Sequence, residues 1–354
     1  MTRKGTNMKK LFITAGIMLG TLGLSAAATL YVDVQNGNDD NPGSSEMPLK
    51  TIEKAANIVN TLNEPGATIK IAPGLYTLEN ECLISSKQQY SDENPLIIEA
   101  SIMPDDPNWT PRDMPIIVSA LNPPAGENIK YIEASGLKVE MSHVVIRGLK
   151  FIGTPIPKVM YYPIYRGGKD LDDLVVSQCM FLNDQHVSTS NVAVIANGHG
   201  LKIDHCVFYN CSNAAVYWNA QDGVSKNNSM TYCIIDGGYV SGVWFCQTDE
   251  DFEFHHNIIT HCQYAFMRDE KNQKTYKVND CIINNNDFLS GKCNPNFELS
   301  ETELETPYLE KNVIDTGEIE LVKGAGLDME IPVRFLQVEK GTLGSDLGAG
   351  LFKK

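Results

Sequence analysis

Between residues 144 and 283 one seven-residue phrase returns six times: Val145–Phe151, Val175–Phe181, Lys202–Phe208, Ser229–Ile235, Glu253–Ile259 and Lys277–Ile283. Its fifth position is held by Leu149, Cys179, Cys206, Cys233, Asn257 and Cys281, at intervals of 30, 27, 27, 24 and 24 residues. A period of this length signals a solenoid, in which each repeat buries its apolar edge only against its neighbours.

Inside each copy apolar and polar residues alternate singly, the period of a strand rather than a helix. Ile146, Val176, Ile203, Met230, Phe254 and Val278 form one column; Phe151, Phe181, Phe208, Ile235, Ile259 and Ile283 form another. No Leu/Asn consensus and no room for a helix per repeat are present, which excludes a leucine-rich repeat. Two residues past the second column stand Asn183, Asn210, Gly237, His261 and Asn285, suited to a tight left-handed turn. The pattern predicts an all-β chain: one right-handed parallel β-helix, a solenoid with three strands per coil. Before it, Leu49, Ile52, Ala55, Ala56, Val59 and Leu62 have helical spacing after a turn-rich stretch. A short helix there would cap the coil's open end and protect its strand edges. Ile69–Ile71 reads as the first coil strand.

Tyr31-Val32-Asp33, Gly37, Asp39-Asp40, Pro42-Gly43, Pro48 to Ile52 and Ala55, followed by Ile69 to Tyr76, resemble the opening segment of secreted pectin-lyase-like β-helix proteins. Gly344 to Ala349 is similar to how many of them close. The resemblance implies the fold; its members include lyases, hydrolases, esterases and non-catalytic proteins, so fold alone does not choose the activity.

Met8-Lys9-Lys10, the apolar run Leu11–Leu24 and Ser25 to Ala28 read as a secretory signal peptide cleaved near Ala28, placing the chain in the periplasm or outside the cell. The expected organisation is a signal peptide over 1–28 and one domain over 29–354. That domain comprises a capping segment to about 66, regular coils over about 67–293 and a C-terminal segment over 294–354. No later stretch is long and apolar enough to span a bilayer. Cleavage removes four cations and no acid, taking the formal charge from −15 to −19. Such a chain, expected to be monomeric, repels nucleic acid and acidic membranes. Of nine cysteines, Cys179, Cys206, Cys233 and Cys281 share the ladder column, where parallel side chains disfavour bridging; stacked buried thiols are expected. No C-x-x-C pair supports a zinc site.

A second strand follows each phrase, at 192–197, 214–219, 241–246 and 263–268. Aligning Val194, Val216, Val243 and Ala265 as inward residues puts Ala196, Trp218, Phe245 and Met267 inward as well. Ile195, Tyr217, Trp244 and Phe266 then face out, beside a polar column of Asn197, Asn219, Cys246 and Arg268. Aromatic faces suit sugar C–H faces, and the amides and Arg268 suit hydroxyls and carboxylates. The alternative is that the segments 103–122 and 154–169 cover this face.

Asp222 and Asp249 fall on adjacent coils. Carboxylates one coil apart stand near 5 Å, the retaining glycosidase separation, and could instead hold Ca²⁺. Arg268 and Lys271 offer the base and charge that β-elimination from a uronic acid requires. This pairing resembles that of β-helix alginate and chondroitin lyases, with Arg268 at the matching strand end. Those lyases carry a Lys-Ser phrase one coil earlier, whereas Ser225-Lys226-Asn227 lies a coil further back. Asn197-Gly198-His199-Gly200 resembles the Gly-His-Gly phrase of polygalacturonase-like hydrolases, whose Asn-Thr-Asp and Arg-Ile-Lys motifs are absent. His255 and His256 read as structural. Three readings stay open: a lyase on an acidic, uronic-acid-containing polysaccharide, a glycoside hydrolase, and a non-catalytic glycan-binding surface protein.

Overall fold

The computed structural model describes residues 28–63, 65–121, 132–157, 159–293, 299–301, 308–324 and 331–353. The signal peptide expected over 1–28 thus lies outside the described residues except for Ala28. Among the described residues, three parallel sheets wind into a right-handed β-helix with three strands per coil. Sheet A has ten strands from Ala28–Val32 to Tyr308–Lys311, and sheet B has eight from Leu75–Leu78 to Ile282–Asn284. Sheet C has nine, from Cys82–Ile84 to Leu299–Glu301, the last of them antiparallel. One coil runs Val144–Arg147 in A, Lys150–Ile152 in B and Val159–Arg166 in C, then re-enters A at Leu174–Ser177.

The recurring phrase is the A strand, a two-residue turn and the B strand. Val176 pairs with Ile146 and Ile203, and Phe181 with Phe151 and Phe208. The three phenyl rings stack with centroids 5.1 and 4.8 Å apart. At the A-to-B turn the fourth phrase position is left-handed in every coil: Gly148, Gln178, His205, Tyr232, His256 and Asp280 have φ of 73°, 51°, 49°, 55°, 55° and 50°. Five of the six are not glycine, so each coil holds a conformation that L-residues rarely adopt.

The fifth position holds that turn. Cys233 Sγ accepts the Cys206 N–H at 3.5 Å, Asn257 Oδ1 accepts that of Cys233 at 2.9 Å, and Cys281 Sγ accepts that of Asn257 at 3.4 Å. The ladder residue of each coil thus caps the turn of the coil before it. A parallel ladder runs at the B-to-C corner, where Cys262 Sγ accepts from Gly238 N and Asn286 Oδ1 from Cys262 N. All nine cysteines are buried. The left-handed turn expected beyond the B strand occurs at Asn210, Gly237, His261 and Asn285. Asn183 instead donates to Cys211 Sγ at 2.9 Å.

Helix α1, Ile52–Thr61, closes the N-terminal end of the coil. Thr51 caps it by accepting from Lys54 N, and Asp39 accepts from the N–H of Lys50 and of Thr51. Ile52, Ala55, Ala56 and Val59 are its buried face.

In the outward column of sheet B, Met180, Val207, Ile234, Ile258 and Ile282 are apolar and buried, and Lys150 stands in the same column beside Met180. Trp109 and Met114 cover it from one side; Ile319, Leu336, Val338 and Leu351 of the C-terminal segment cover it from the other. That strap is fastened where Gln178 donates to the Leu351 carbonyl and Lys353 meets Asp204 at 2.7 Å. Beneath the Trp109 loop, Lys150 projects from this face. Its Nζ donates to the Pro111 carbonyl at 2.7 Å, and burial pulls its pKa down to about 8.

Candidate functional site

Sheet C's register decides which side chains meet solvent, and it corrects the expected alignment. Val194 pairs with Ala215, Ala215 with Val243, and Val243 with Phe266. The inward columns are therefore Val194, Ala215, Val243, Phe266 and Ala196, Tyr217, Phe245, Arg268. The strands at 213–217 and 264–269 are each displaced by one residue from the expected alignment, which inverts every side chain on them. Tyr217 and Phe266, expected outward, are 1% and 0% exposed. Tyr217 donates to the Ser229 carbonyl at 2.8 Å, and Phe266 stacks on Tyr308 at 4.6 Å. Neither ring can touch a ligand.

The outward columns are Tyr165, Ile195, Val216, Trp244, Met267 and, two residues further along, Asn197, Trp218, Cys246, Asp269. Trp218, expected inside, stands at the surface. Its ring lies 6.2 Å from that of Trp244, which is 8% exposed and packed between Val216 and Met267 as the floor of the face. Towards the N-terminal coils the face opens on Tyr162 and Tyr165, whose rings are 5.8 Å apart. The tyrosines do not form a covering loop; their segment, Val159–Arg166, is a strand of sheet C itself. Burial, then Glu133, pushes the Tyr162 hydroxyl up to about 12; burial, Glu140 and Glu133 raise that of Tyr165. Lys138 beside Tyr165 is paired with Glu81 at 3.0 Å.

The polar edge is built by the C-to-A turns. Arg166, wholly buried, donates from Nε to the Asn197 carbonyl and from Nη2 to the His199 carbonyl, each at 2.7 Å, and so fixes the turn after Asn197. Burial draws its guanidinium down to about 10, against the pull of Asp172 and Asp173. The Oδ1 atoms of Asn197 and Asn219 are buried and accept no hydrogen bond among the described residues. Asp269 is half-buried beside Trp244 and Cys246; burial raises its pKa, and Lys271 opposes the rise.

Asp222 and Asp249, expected in one column, each act on Lys226, but the pairing of Ser225 with Thr248 puts Asp249 level with Lys226 rather than with Asp222. Lys226 Nζ lies 2.9 Å from Asp222 Oδ2, and both carboxylates raise its pKa. Asp222 is lowered by this bond, whereas Asp249 is raised by burial and by Asp251. Two carboxyl groups in one turn stack are thus pushed in opposite directions.

Arg268 continues the inward column and acts on the buried Tyr308 hydroxyl, whereas Lys271 acts on Asp269 at the outer face. For a divalent ion, the described residues gather one mixed set away from this face. Asp92, His143 and Asp173 place their ligand atoms within 4.8 Å of one another. Lys202 already lies 3.1 Å from Asp173. Trp218, Tyr162, Tyr165 and Asp269 are the site residues that sequence reasoning missed; the signal for them was the parity of sheet C, which the variable turns before it conceal.

Residues 35–83 match a family described as "Protein of unknown function (DUF1565)". A comparison with curated proteins found no match. Among solved structures the chain is similar to the complex of XylC with xylose, with a TM-score of 0.46 and 12% identity over 75% of this chain. It spans 64% of that protein's length. It is also similar to a rhamnogalacturonan lyase, with a TM-score of 0.40 and 14% identity over 92% of this chain and 100% of the other. For pectate lyase Pel9A the TM-score is 0.37 and the identity 13%, over 91% of each chain. No described helix is long and apolar enough to cross a membrane.

Proposed function

We propose that this chain is a carbohydrate-active β-helix protein that holds a polysaccharide along the outer face of sheet C. The observation that carries the reading is the outward pair of columns in which Tyr165 and Trp218 stand beside Asn197 and Asp269 over the Trp244 floor. Flat rings next to amide and carboxyl groups match the alternating C–H and hydroxyl surfaces of a pyranose.

The charge of the face bears on the sugar. Glu81, Glu133, Glu140 and Asp269 outnumber Lys138 and Lys271 there, which favours a glycan with few carboxylates or one accompanied by a cation. A uronic-acid polymer cleaved by elimination would call on Lys271, beside Asp269, with Arg268 continuing the inward column. A second reading, hydrolysis, is favoured by the turn carboxylates. Asp249, raised by burial, fits a proton donor, and Asp222, kept ionised by Lys226, fits its partner.

Affinity electrophoresis through gels containing xylan, rhamnogalacturonan, pectate or alginate tests the binding. Retardation in at least one gel, lost in Trp218→Ala, is expected; no retardation in any gel, or retardation that survives both Trp218→Ala and Tyr165→Ala, overturns the reading. New reducing ends that vanish in Asp249→Asn mark hydrolysis, and ultraviolet-absorbing unsaturated ends mark elimination.

A further inference from the structure

A different face of the molecule carries an unassigned recess of about 440 Å³, at the B-to-C corner where the C-terminal strap ends its cover of sheet B. Its volume lies within the range of small-molecule sites. The strap seals the apolar outward column of sheet B. The next outward column runs through Val118, Ile152 and Leu182 and then turns polar, to Tyr209, Asp236, Thr260 and Asn284. The recess opens where that change occurs, with Tyr209 and Asp236 in its wall.

Asp236 is only 7% exposed, an unusual place for a carboxylate on an outward strand position. Its Oδ1 is held 2.7 Å from His261 Nδ1, which leaves Nε2 as the remaining polar atom of a half-exposed imidazole lining the recess. The left-handed turns at Asn210, Gly237 and His261 set these groups along one wall. Across from them stand Tyr239, Asp184 and His186 from the following loops, and Lys323 from the strap, whose ammonium lies 5.5 Å from the Tyr209 ring centroid.

We propose that this recess is a second saccharide site, taking a neutral mono- or disaccharide unit, separate from the face of sheet C. The lining offers acceptors at Asp184 and Asp236, donors at Lys323 and the histidines, and a phenol ring at Tyr239. Carboxylates and cations are interspersed, so the recess presents no single-sign field for a charged ligand. A vicinal diol satisfies a carboxylate and an adjacent donor together, while an apolar ligand would strand them in a desolvated pocket. Because Ile319 and Lys323 come from the strap and the other walls from the coil, a bound sugar joins the two and steadies the strap.

The test uses the full chain with xylobiose, cellobiose, lactose and maltose as probes, read by titration calorimetry and by protease cleavage of the 314–324 segment. At least one probe is expected to bind saturably and to slow that cleavage. Asp236→Asn and Tyr239→Ala should each weaken binding about tenfold, with circular dichroism unchanged. Trp218→Ala should leave this binding intact, and Asp236→Asn should leave polysaccharide retardation intact. The proposal is overturned if no probe binds, if binding survives both recess variants, or if it is lost in Trp218→Ala. Because the two faces are read by different variants, failure here is distinguishable from failure of the sheet C reading.

Discussion

Asn257 is the one amide among thiols in the first ladder, and replacing it measures what that ladder does. The side chain is fully buried; Nδ2 donates to the Met230 carbonyl at 2.8 Å and Oδ1 accepts from Cys233 N at 2.9 Å. Asn257→Ala removes both bonds and leaves the Cys233 N–H without its acceptor in the dry interior. An unpaired buried donor costs roughly 1–3 kcal/mol and a lost neutral hydrogen bond roughly 0.5–1.5 kcal/mol, together about 2–4 kcal/mol. For a fold whose whole stability is of order 5–15 kcal/mol, that is a large fraction.

Asn257→Cys should behave differently, because a thiol in this column already accepts the neighbouring N–H at Cys233 and at Cys281. Its cost should stay under about 1.5 kcal/mol, the worth of one ordinary bond. Urea unfolding followed by both circular dichroism and tryptophan fluorescence reads the two midpoints, with coincident transitions confirming a common m-value. If the alanine and cysteine variants shift the midpoint equally, the column acts through packing volume alone and the capping argument fails. A shift below about 1 kcal/mol for alanine would refute it as well.

Two further outcomes follow from buried titratable groups. Lys150 loses its proton near pH 8 in the folded chain, while an unfolded lysine keeps it to about pH 10.4. Between those values the unfolded state binds more protons, so stability rises with pH. Below pH 8 the buried charge costs up to about 3 kcal/mol. Lys150→Met should therefore be more stable than the parent at pH 7, by that amount less about 1 kcal/mol for the stranded Pro111 carbonyl. The advantage should shrink towards pH 10, and an advantage independent of pH would count against the assignment. For the cysteines, burial holds the Cys211 and Cys262 thiols up at about 12. Iodoacetamide should leave Cys179, Cys206, Cys211, Cys233, Cys262 and Cys281 unmodified in the native protein and alkylate them in urea, as read by peptide mass; native labelling of Cys206 or Cys233 would contradict the stacked-thiol interior.

The difference between what was legible and what was not comes from turn length. From sheet A to sheet B each of the six repeats spends two residues, Gly148-Leu149 in one and His205-Cys206 in another, so the phrase stays in register and both inward columns could be read by spacing alone. The capping helix was legible for a similar reason, since Ile52, Ala55, Ala56 and Val59 repeat at helical spacing and are its buried face. Between sheets B and C the connection varies: Leu182 to Val194, Tyr209 to Asn213, Asp236 to Ser241. Nothing in Ala214-Ala215-Val216 distinguishes an inward from an outward residue, because all three are small and apolar and all three end up buried.

A one-residue error there exchanges Tyr217 for Trp218, and the strand gives no internal contrast to correct it. Only the pairing of Ala215 with Val243 resolves it, and that is a contact between residues a full coil apart. In a β-helix the residues that make the core recur at fixed spacing because the core demands it. Those that face a ligand follow the connections free to change length, so the core could be read here from the repeat while the face required the pairing itself.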